Sequence, residues 1–373
     1  MPAPSASTEK SYMKWVSLFA LVIQTSSVVL TMRYSKISTK QTGDKPDGKD
    51  YLSSTAVVMA ELLKLFTSFL LVLHGSGYNL GAYKRTLQQG LGSVHEMKHV
   101  AIPAVLYVFQ NNFLFHAISN LDAPTYQVSY QLKIFTTAIL SAIILSKTLS
   151  LLKWIALVIL FCGVSLVQIP KEVFTGEKDF VSSFAQTSNF KGLIFILMAC
   201  FTSAFAGVYF EKLLKTSKTS VWIRNIQLGF YGFVFGTIGS FYYDHDAIKK
   251  DGFFQGYNNS VWAVIILNAV GGLIVAAVIK YADNILKGFA NAVAIISSTI
   301  CSYYILNDST NLDLKFALGA SMVIAATFIY TYTPRNNSKG RGVLFTVVRW
   351  VGKLFGVGPK QTPFRRDSDV HLS

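Results

Sequence analysis

The sequence predicts an all-α polytopic membrane protein with ten transmembrane helices, arranged as a 5+5 inverted repeat. Of its 373 residues, 51% are hydrophobic and only 14% are charged, and a soluble domain of this size would not be so apolar. Ten runs of about 20 apolar residues follow one another along the chain, and each can cross the hydrocarbon core as a helix. Five spans in each half would invert the second half relative to the first.

The apolar runs divide the chain into five parts. They lie near residues 13–32, 53–73, 100–119, 123–146, 151–169, 190–213, 221–243, 261–281, 285–306 and 314–332. The parts are a cytosolic N-terminal segment (1–12), a first five-helix repeat (13–169), a luminal linker loop (170–189), a second five-helix repeat (190–333) and a cytosolic tail (334–373). The first run has no small-residue cleavage site and is expected to be a retained span. Apolar and basic side chains at helical spacing over 341–356 predict an amphipathic helix on the membrane surface.

The basic residues indicate which side of the membrane each loop faces. Of the 34 Lys and Arg residues, 21 fall on the side that holds both termini and ten on the opposite side. By the positive-inside rule, both termini are expected in the cytosol. The loop 33–51 is the exception, because it places five basic residues on the other side.

The charge and the residue types exclude several classes of function. The formal net charge is +15, but the basic residues lie in short loops and in the tail, so nucleic acid is not an expected partner. The six histidines are scattered, and the chain has no paired Cys or His ligands and no Walker-type phosphate loop. We therefore expect no metal, no cofactor and no catalytic residues.

One apolar stretch, Thr125–Ser141, carries polar side chains at membrane depth. On one continuous helix, Tyr126, Tyr130 and Lys133 would share a face. A Lys at the bilayer centre costs about 2.5–3.5 kcal/mol, so by default it faces a cavity or a partner. No carboxylate lies on the same helix, which favours an anionic ligand. The alternative is that Lys133 sits near a helix end and extends to the lipid headgroups.

Three other spans also carry polar side chains, and for two of these spans the sequence allows two interpretations. Lys287 lies near the start of the ninth span, which mirrors the arrangement in the fourth span and suggests a site between the two halves. Tyr107 and Asn111 lie one helical turn apart in the third span, and they either line a cavity or hold neighbouring helices together. Glu61 and Lys64, three residues apart in the second span, either pair with each other or contact a substrate.

Six stretches of the chain resemble the Golgi nucleotide-sugar transporters, and the likeness runs in order over residues 14–333. They are Gln110–Asn112 (QNN), Thr125–Lys133 (TYQVSYQLK), Phe205–Lys212 (FAGVYFEK), Val221–Gln227 (VWIRNIQ), Gly252–Tyr257 (GFFQGY) and Lys280–Phe289 (KYADNILKGF). Within that family, the chain is similar to the branch that holds the UDP-N-acetylglucosamine, UDP-galactose and CMP-sialic acid transporters. The resemblance implies a drug/metabolite transporter fold in the Golgi membrane, and exchange of luminal UMP or CMP for a cytosolic nucleotide sugar.

The resemblance also implies a binding site. The residues that match the family's ligand-contacting positions are Tyr107, Asn111, Tyr126, Lys133 and Lys287. The full set of candidate substrate-binding residues adds Tyr130, Asn225, Gly229, Tyr231 and Lys280. The CMP-sialic acid type has Tyr and Ser where this chain has Gly229 and Tyr231, so this chain is more similar to the UDP-sugar members. Leu30–Ser35 (LTMRYS) and Tyr51–Val58 (YLSSTAVV) look most like the UDP-N-acetylglucosamine type.

We therefore predict an antiporter that moves cytosolic UDP-N-acetylglucosamine into the Golgi lumen in exchange for UMP, with UDP-galactose as an open second substrate. The alternatives are a transporter mainly of UDP-galactose or CMP-sialic acid, and a polytopic glycosyltransferase that uses the same donor. An enzyme would need a positioned carboxylate or His, and the spans offer only Glu61 and Glu211, each beside a Lys. The expected partners are UDP-sugar, UMP and Golgi membrane lipids, while a homodimer and an association with glycosyltransferases stay open.

Overall fold

The computed structural model describes residues 6–42, 51–92, 94–121, 123–169, 187–217, 219–306 and 312–332, and within these ranges it is helical without strands. The helices are α1 Ala6–Thr42, α2 Ser53–Gly75, α3 Leu80–Leu91, α4 Val94–Asn120, α5 Ala123–Tyr130, α6 Lys133–Ile144, α7 Leu151–Gln168, α8 Thr187–Thr216, α9 Val221–Tyr243, α10 His245–Asp251, α11 Asn259–Tyr281, α12 Asn284–Leu306 and α13 Leu314–Thr331. The prediction of an all-α chain is confirmed for these residues.

Eight helices of the described part are long and apolar enough to cross a membrane, namely α1, α2, α4, α7, α8, α11, α12 and α13. They confirm a polytopic membrane protein and eight of the predicted spans. The predicted seventh span is the 23-residue helix α9, whose hydropathy is lowered by its glycines, its tyrosines and the polar residues of its first turns. The predicted fourth span is divided between α5 and α6.

The prediction of one continuous helix over 123–146 is wrong. The helix α5 ends at Tyr130 and α6 begins at Lys133. Between them the chain makes a tight turn of 3₁₀ type, in which Gln131 N donates to Val128 O at 3.1 Å and Leu132 N donates to Ser129 O at 3.1 Å. Such a turn inside a span interrupts the regular α-helical ladder.

Groups from other helices hold this break. The Gln131 Nε2 donates to Oε1 of Gln168 on α7 at 3.1 Å. The Tyr130 carbonyl accepts from Cys200 Sγ on α8 at 3.6 Å. Because a bilayer offers no water to a released backbone group, a broken span needs such partners from neighbouring helices.

The structure also changes several of the predicted boundaries between helices and loops. The predicted loop 33–51 is partly helical, because α1 continues to Thr42. Two segments expected to be loops contain the short helices α3 and α10; the first is capped by the Asn79 side chain, which accepts from Gly81 N at 2.9 Å. Asp244, the residue after α9, accepts from Ser54 Oγ of α2 at 2.5 Å. The helix α8 begins at Thr187, and the rest of the predicted linker, like the predicted helix 341–356, lies outside the described residues.

Helices of the first half pack mainly on helices of the second. The principal pairs are α2 with α9, α4 with α8, α7 with α13, and α1 with both α11 and α12. Small residues allow close approach: a Cβ placed on Gly163 of α7 would lie 2.9 Å from the Gly319 carbonyl oxygen of α13. Without a hydrophobic driving force between helices in lipid, such backbone proximity provides much of the packing energy.

Replacing Gly163 with Ala tests this contact. The new methyl group would meet backbone on one side and Met322 Cβ at 3.0 Å on the other, so we expect a loss of about 1–3 kcal/mol, measured as a lower unfolding temperature in detergent. Gly239→Ala is the matched control, because nothing lies within 4 Å of a Cβ placed there. An unchanged unfolding temperature for Gly163→Ala would contradict the packing described for α7 and α13.

Candidate functional site

Two tyrosines and a lysine form a stack at the break between α5 and α6. The rings of Tyr126 and Tyr130 are nearly parallel, with centroids 6.0 Å apart and an interplanar angle of 14°. The Lys133 Nζ lies 4.2 Å from the centroid of the Tyr130 ring, within the range of a cation–π interaction. Gln110 Nε2 of α4 donates to the Tyr130 hydroxyl at 3.4 Å. Tyr107, one turn before Gln110 on α4, lies in the vicinity of Tyr130.

Lys287 faces the same region from α12. Its ammonium group and that of Lys133 are close enough to repel each other. Within the described ranges, neither lysine forms an ion pair with a carboxylate. Both side chains are only partly exposed, and two such cations in a helical bundle favour an anion between them. We call Tyr107, Tyr126, Tyr130, Lys133 and Lys287 the lysine site.

The carboxylates near Lys287 are already bound to other cations. Glu211 of α8 is fully buried, and its Oε1 accepts from Lys147 Nζ at 2.7 Å and from Lys215 Nζ at 2.8 Å. Its Oε2 accepts from the backbone nitrogen of Asn284 at 3.0 Å. Asp283 lies 3.4 Å from Lys147 Nζ. Two carboxylates therefore face two other lysines, and the positive charge of the lysine site remains.

This carboxylate cluster was not foreseen from the sequence. The motif FAGVYFEK marks Glu211, but nothing in the sequence links it to Lys147, which is 64 residues away. The only available signal was that a carboxylate inside an apolar run must find a cation or hydrogen-bond donors. The predicted reading of Glu211 as a residue beside a Lys is correct in part, since Lys215 is one turn away.

The other candidate residues have neighbours outside the lysine site. On α9, Asn225 is 1% exposed and its Nδ2 has no hydrogen-bond partner in the described part of the chain. A Cβ on Gly229 would lie 3.1 Å from Leu65 Cγ of α2, and the Tyr231 hydroxyl donates to the carbonyl of Met97 at 3.3 Å. These three residues face α2 and α4.

Asn111 and Lys280 have different surroundings again. The Asn111 side chain is exposed on α4. Lys280, near the end of α11, lines a small cavity of about 110 Å³ together with Ser220 and Trp222. The structure therefore brings together five of the ten predicted substrate-binding residues, and within the described part of the chain no hydrogen bond or ion pair joins the other five to them.

The Glu61–Lys64 pair forms within α2. The Lys64 Nζ donates to Glu61 Oε1 at 2.7 Å, so the two side chains pair with each other as the first of the two interpretations predicts. Glycines on the facing helices make room for it. A Cβ on Gly272 of α11 would lie 2.7 Å from Lys64 Cδ, and one on Gly232 of α9 would lie 2.6 Å from Glu61 Oε2.

A second buried charge lies at the start of α9. Arg224 is 1% exposed, and its Nη2 donates to Glu96 of α4 while its Nη1 donates to Gln227 Oε1 at 2.9 Å. Gln227 Nε2 in turn donates to the Gly90 carbonyl of α3 at 2.7 Å. This chain of bonds fixes α3 and α4 to α9. No group of three or more His, Cys, Asp or Glu side chains that could hold a metal occurs among the residues searched, which are the described ones.

Comparison with known proteins gives concordant matches. Residues 9–331 match a family model described as nucleotide-sugar transporter. The chain is 52% identical over 324 residues to the Homo sapiens UDP-N-acetylglucosamine transporter, covering 87% of this chain and 96% of that protein. It is 46% identical over 335 residues to the Caenorhabditis elegans UDP-N-acetylglucosamine/UDP-N-acetylgalactosamine transporter nstp-4, covering 89% and 97%. It is 40% identical over 336 residues to the Canis lupus familiaris UDP-galactose translocator, covering 90% and 81%.

A solved crystal structure also resembles the chain in fold. The TM-score is 0.59 at 11% sequence identity, and the match covers 87% of this chain and 99% of that one. At this identity the likeness concerns the fold alone.

Replacing Glu211 with Gln tests the carboxylate cluster. The substitution removes the charge that Lys147 and Lys215 share, so we expect a loss of about 3–5 kcal/mol of stability, measured as a lower unfolding temperature in detergent. Glu61→Gln is the control, since Glu61 has one cationic partner and its side chain is 23% exposed; its loss should be smaller.

A double-mutant cycle separates the ion pairs from general damage. Adding Lys147→Met to Glu211→Gln should cost less than the sum of the two single losses, because the first change has already removed the Glu211–Lys147 ion pair. Strictly additive losses would contradict a direct interaction between Glu211 and Lys147.

Proposed function

The chain belongs to the nucleotide-sugar transporter family, and from this premise we propose that it carries UDP-N-acetylglucosamine into the Golgi lumen in exchange for UMP. The names of its relatives support the substrate, because those named UDP-N-acetylglucosamine transporter are more similar to this chain than the one named UDP-galactose translocator. UDP-galactose is the second candidate substrate, since it shares the whole UDP group.

The family assignment excludes the glycosyltransferase alternative, because the family and its relatives are transporters. The surroundings of the two carboxylates agree with this. Glu61 is bound to Lys64, and Glu211 is bound to two lysines and a backbone nitrogen. A general acid or base must reach the reacting atoms with its own proton-transfer group, and both carboxylates are engaged in helix contacts.

We propose ten spans in a 5+5 inverted repeat, with both termini in the cytosol. The helix contacts support the repeat. If each span of a contacting pair is exchanged for the span five places away along the chain, the new pair is again in contact. The pair α4–α8 maps onto α1–α11, α6–α8 onto α1–α12, and α2–α11 onto α4–α9, while α2–α9 and α7–α13 map onto themselves. The charge distribution supports the orientation.

The observation that carries the proposed substrate is the pair of lysines without carboxylate partners. Lys133 comes from the first half of the chain and Lys287 from the second, and their repulsion is relieved when a diphosphate lies between them. The tyrosines of the lysine site give aromatic surfaces for the rest of the nucleotide sugar. Contacts of the substrate with Asn111, Asn225, Gly229, Tyr231 and Lys280 stay predictions.

Replacing Lys133 or Lys287 with Ala tests the anion site. Loss of one charged hydrogen-bond partner should weaken UDP-N-acetylglucosamine binding about ten- to hundredfold, measured by titration of the purified chain. Lys212→Ala is the matched control, because Lys212 is exposed near the end of α8. A Lys133→Ala chain that unfolds at the normal temperature and binds normally would refute the site.

Exchange with UMP is tested in proteoliposomes. In the empty carrier, Lys133 and Lys287 keep two unscreened charges together, and this raises the barrier for the change between inward-facing and outward-facing states. UMP keeps one phosphate and the base, so vesicles preloaded with UMP should take up labelled UDP-N-acetylglucosamine faster than empty vesicles. CMP should stimulate less if Gly229 and Tyr231 mark the uracil-binding side. Equal uptake by empty vesicles would indicate a uniporter.

A further inference from the structure

The short helix α3 has an apolar face that the proposed transport site does not use. An open groove of about 590 Å³ runs along it, and its lining includes Leu80, Tyr83, Lys84, Leu87, Gln88 and Leu91. Leu80 is 73% exposed, and Tyr78 just before the helix is 69% exposed. A helix with apolar and aromatic residues on one side and cations beside them is typical of the membrane interface.

The position of α3 in the bundle fits the depth of the lipid headgroups. The chain turns sharply after α2, where Gly77 and Tyr78 both have positive φ values, of 61° and 57°. The inner side of α3 packs on the start of α9 and on α2, in a cluster that includes Val72 and Ile223. The Gly90 carbonyl is held by Gln227 of α9. Because α9 begins here, α3 lies at one end of the bundle.

The charged residues of α3 and of the turns on either side of it are all of one sign. From His74 to His95 the sequence contains Lys84 and Arg85 but no Asp or Glu. Both cations are exposed. The next carboxylate along the chain, Glu96, is already bound by Arg224. An occupant of this groove must therefore offer an apolar segment and an anionic group next to each other.

We propose that α3 binds an anionic phospholipid of the leaflet at this end of the bundle. The acyl chain lies along Leu80 and the exposed edge of Leu87, whose inner edge packs on α2 and α9, and the phosphate contacts Lys84 and Arg85. The bonds from Gly90 through Gln227 to Arg224 connect this lipid site to α9. Lipid binding here does not depend on which nucleotide sugar is carried.

The test compares two pairs of adjacent lysine and arginine residues in the full chain. The variant Lys84→Gln with Arg85→Gln removes the cations of α3. The control variant Lys249→Gln with Lys250→Gln removes two exposed lysines of α10, which follows the far end of α9. Each protein is purified in detergent, mixed with detergent micelles that contain phosphatidylcholine and phosphatidylserine, and examined by native mass spectrometry for the amount of each lipid that it retains.

We expect the α3 variant to bind phosphatidylserine about fivefold more weakly for each cation removed, which corresponds to about 1 kcal/mol per basic residue. The control variant should bind it as the unmodified chain does. Retention of phosphatidylserine by the α3 variant at the unmodified level, or an equal loss in the α10 variant, would overturn the proposal.

A second variant tests the groove apart from the charges. Leu80→Asn removes exposed apolar surface and leaves the packed side of α3 in place. It should weaken binding of both phosphatidylserine and phosphatidylcholine, because each acyl chain loses the same contact, whereas the charge variant should weaken only the former. If Leu80→Asn changes neither, the groove does not hold the acyl chain and the proposal is wrong.

Discussion

The arrangement of the second half of the chain depends on the ion pairs and the hydrogen bond of one buried carboxylate, that of Glu211. It binds Lys147 from the segment after α6, Lys215 from its own helix and the backbone nitrogen of Asn284 at the start of α12. A fully buried carboxylate is tolerated only when its oxygens are satisfied and its charge is neutralised. By meeting both conditions, Glu211 fixes the first turn of α12 against α8 and so places Lys287.

The same cluster decides the charge of the lysine site. Asp283 lies one helical turn before Lys287, and Glu211 is close enough to act on the charge of Lys287, but both carboxylates face Lys147. Their engagement leaves Lys133 and Lys287 without carboxylate partners in the described part of the chain. The attraction that we propose between this site and a diphosphate therefore depends on the positions of the carboxylates as well as on the positions of the lysines.

Close packing of helices and a broken span are the two further structural features of this bundle. Glycines at 229, 232 and 272 accommodate the Glu61–Lys64 pair between helices, so a charged pair is buried without separating them. The turn between α5 and α6 lies between Tyr130 and Lys133, and groups from α7 and α8 hold it. Interrupted helices that line a cavity are a recurrent device of transporters built from repeats.

Local sequence was sufficient for the helical class, for most spans and for part of the site. Hydropathy over about 20 residues predicts spans because a bilayer requires every backbone group to bond within its own helix. The contacts among Tyr126, Tyr130 and Lys133 were predictable because these residues are separated by only one or two turns. Their helical break was not, since the groups that hold it belong to Gln168 and Cys200, far along the chain. Only the tertiary structure decided that Glu211 binds Lys147 and that α3 docks on α9, because ion pairs and packed surfaces depend on distances between helices, which periodicity within one helix does not encode.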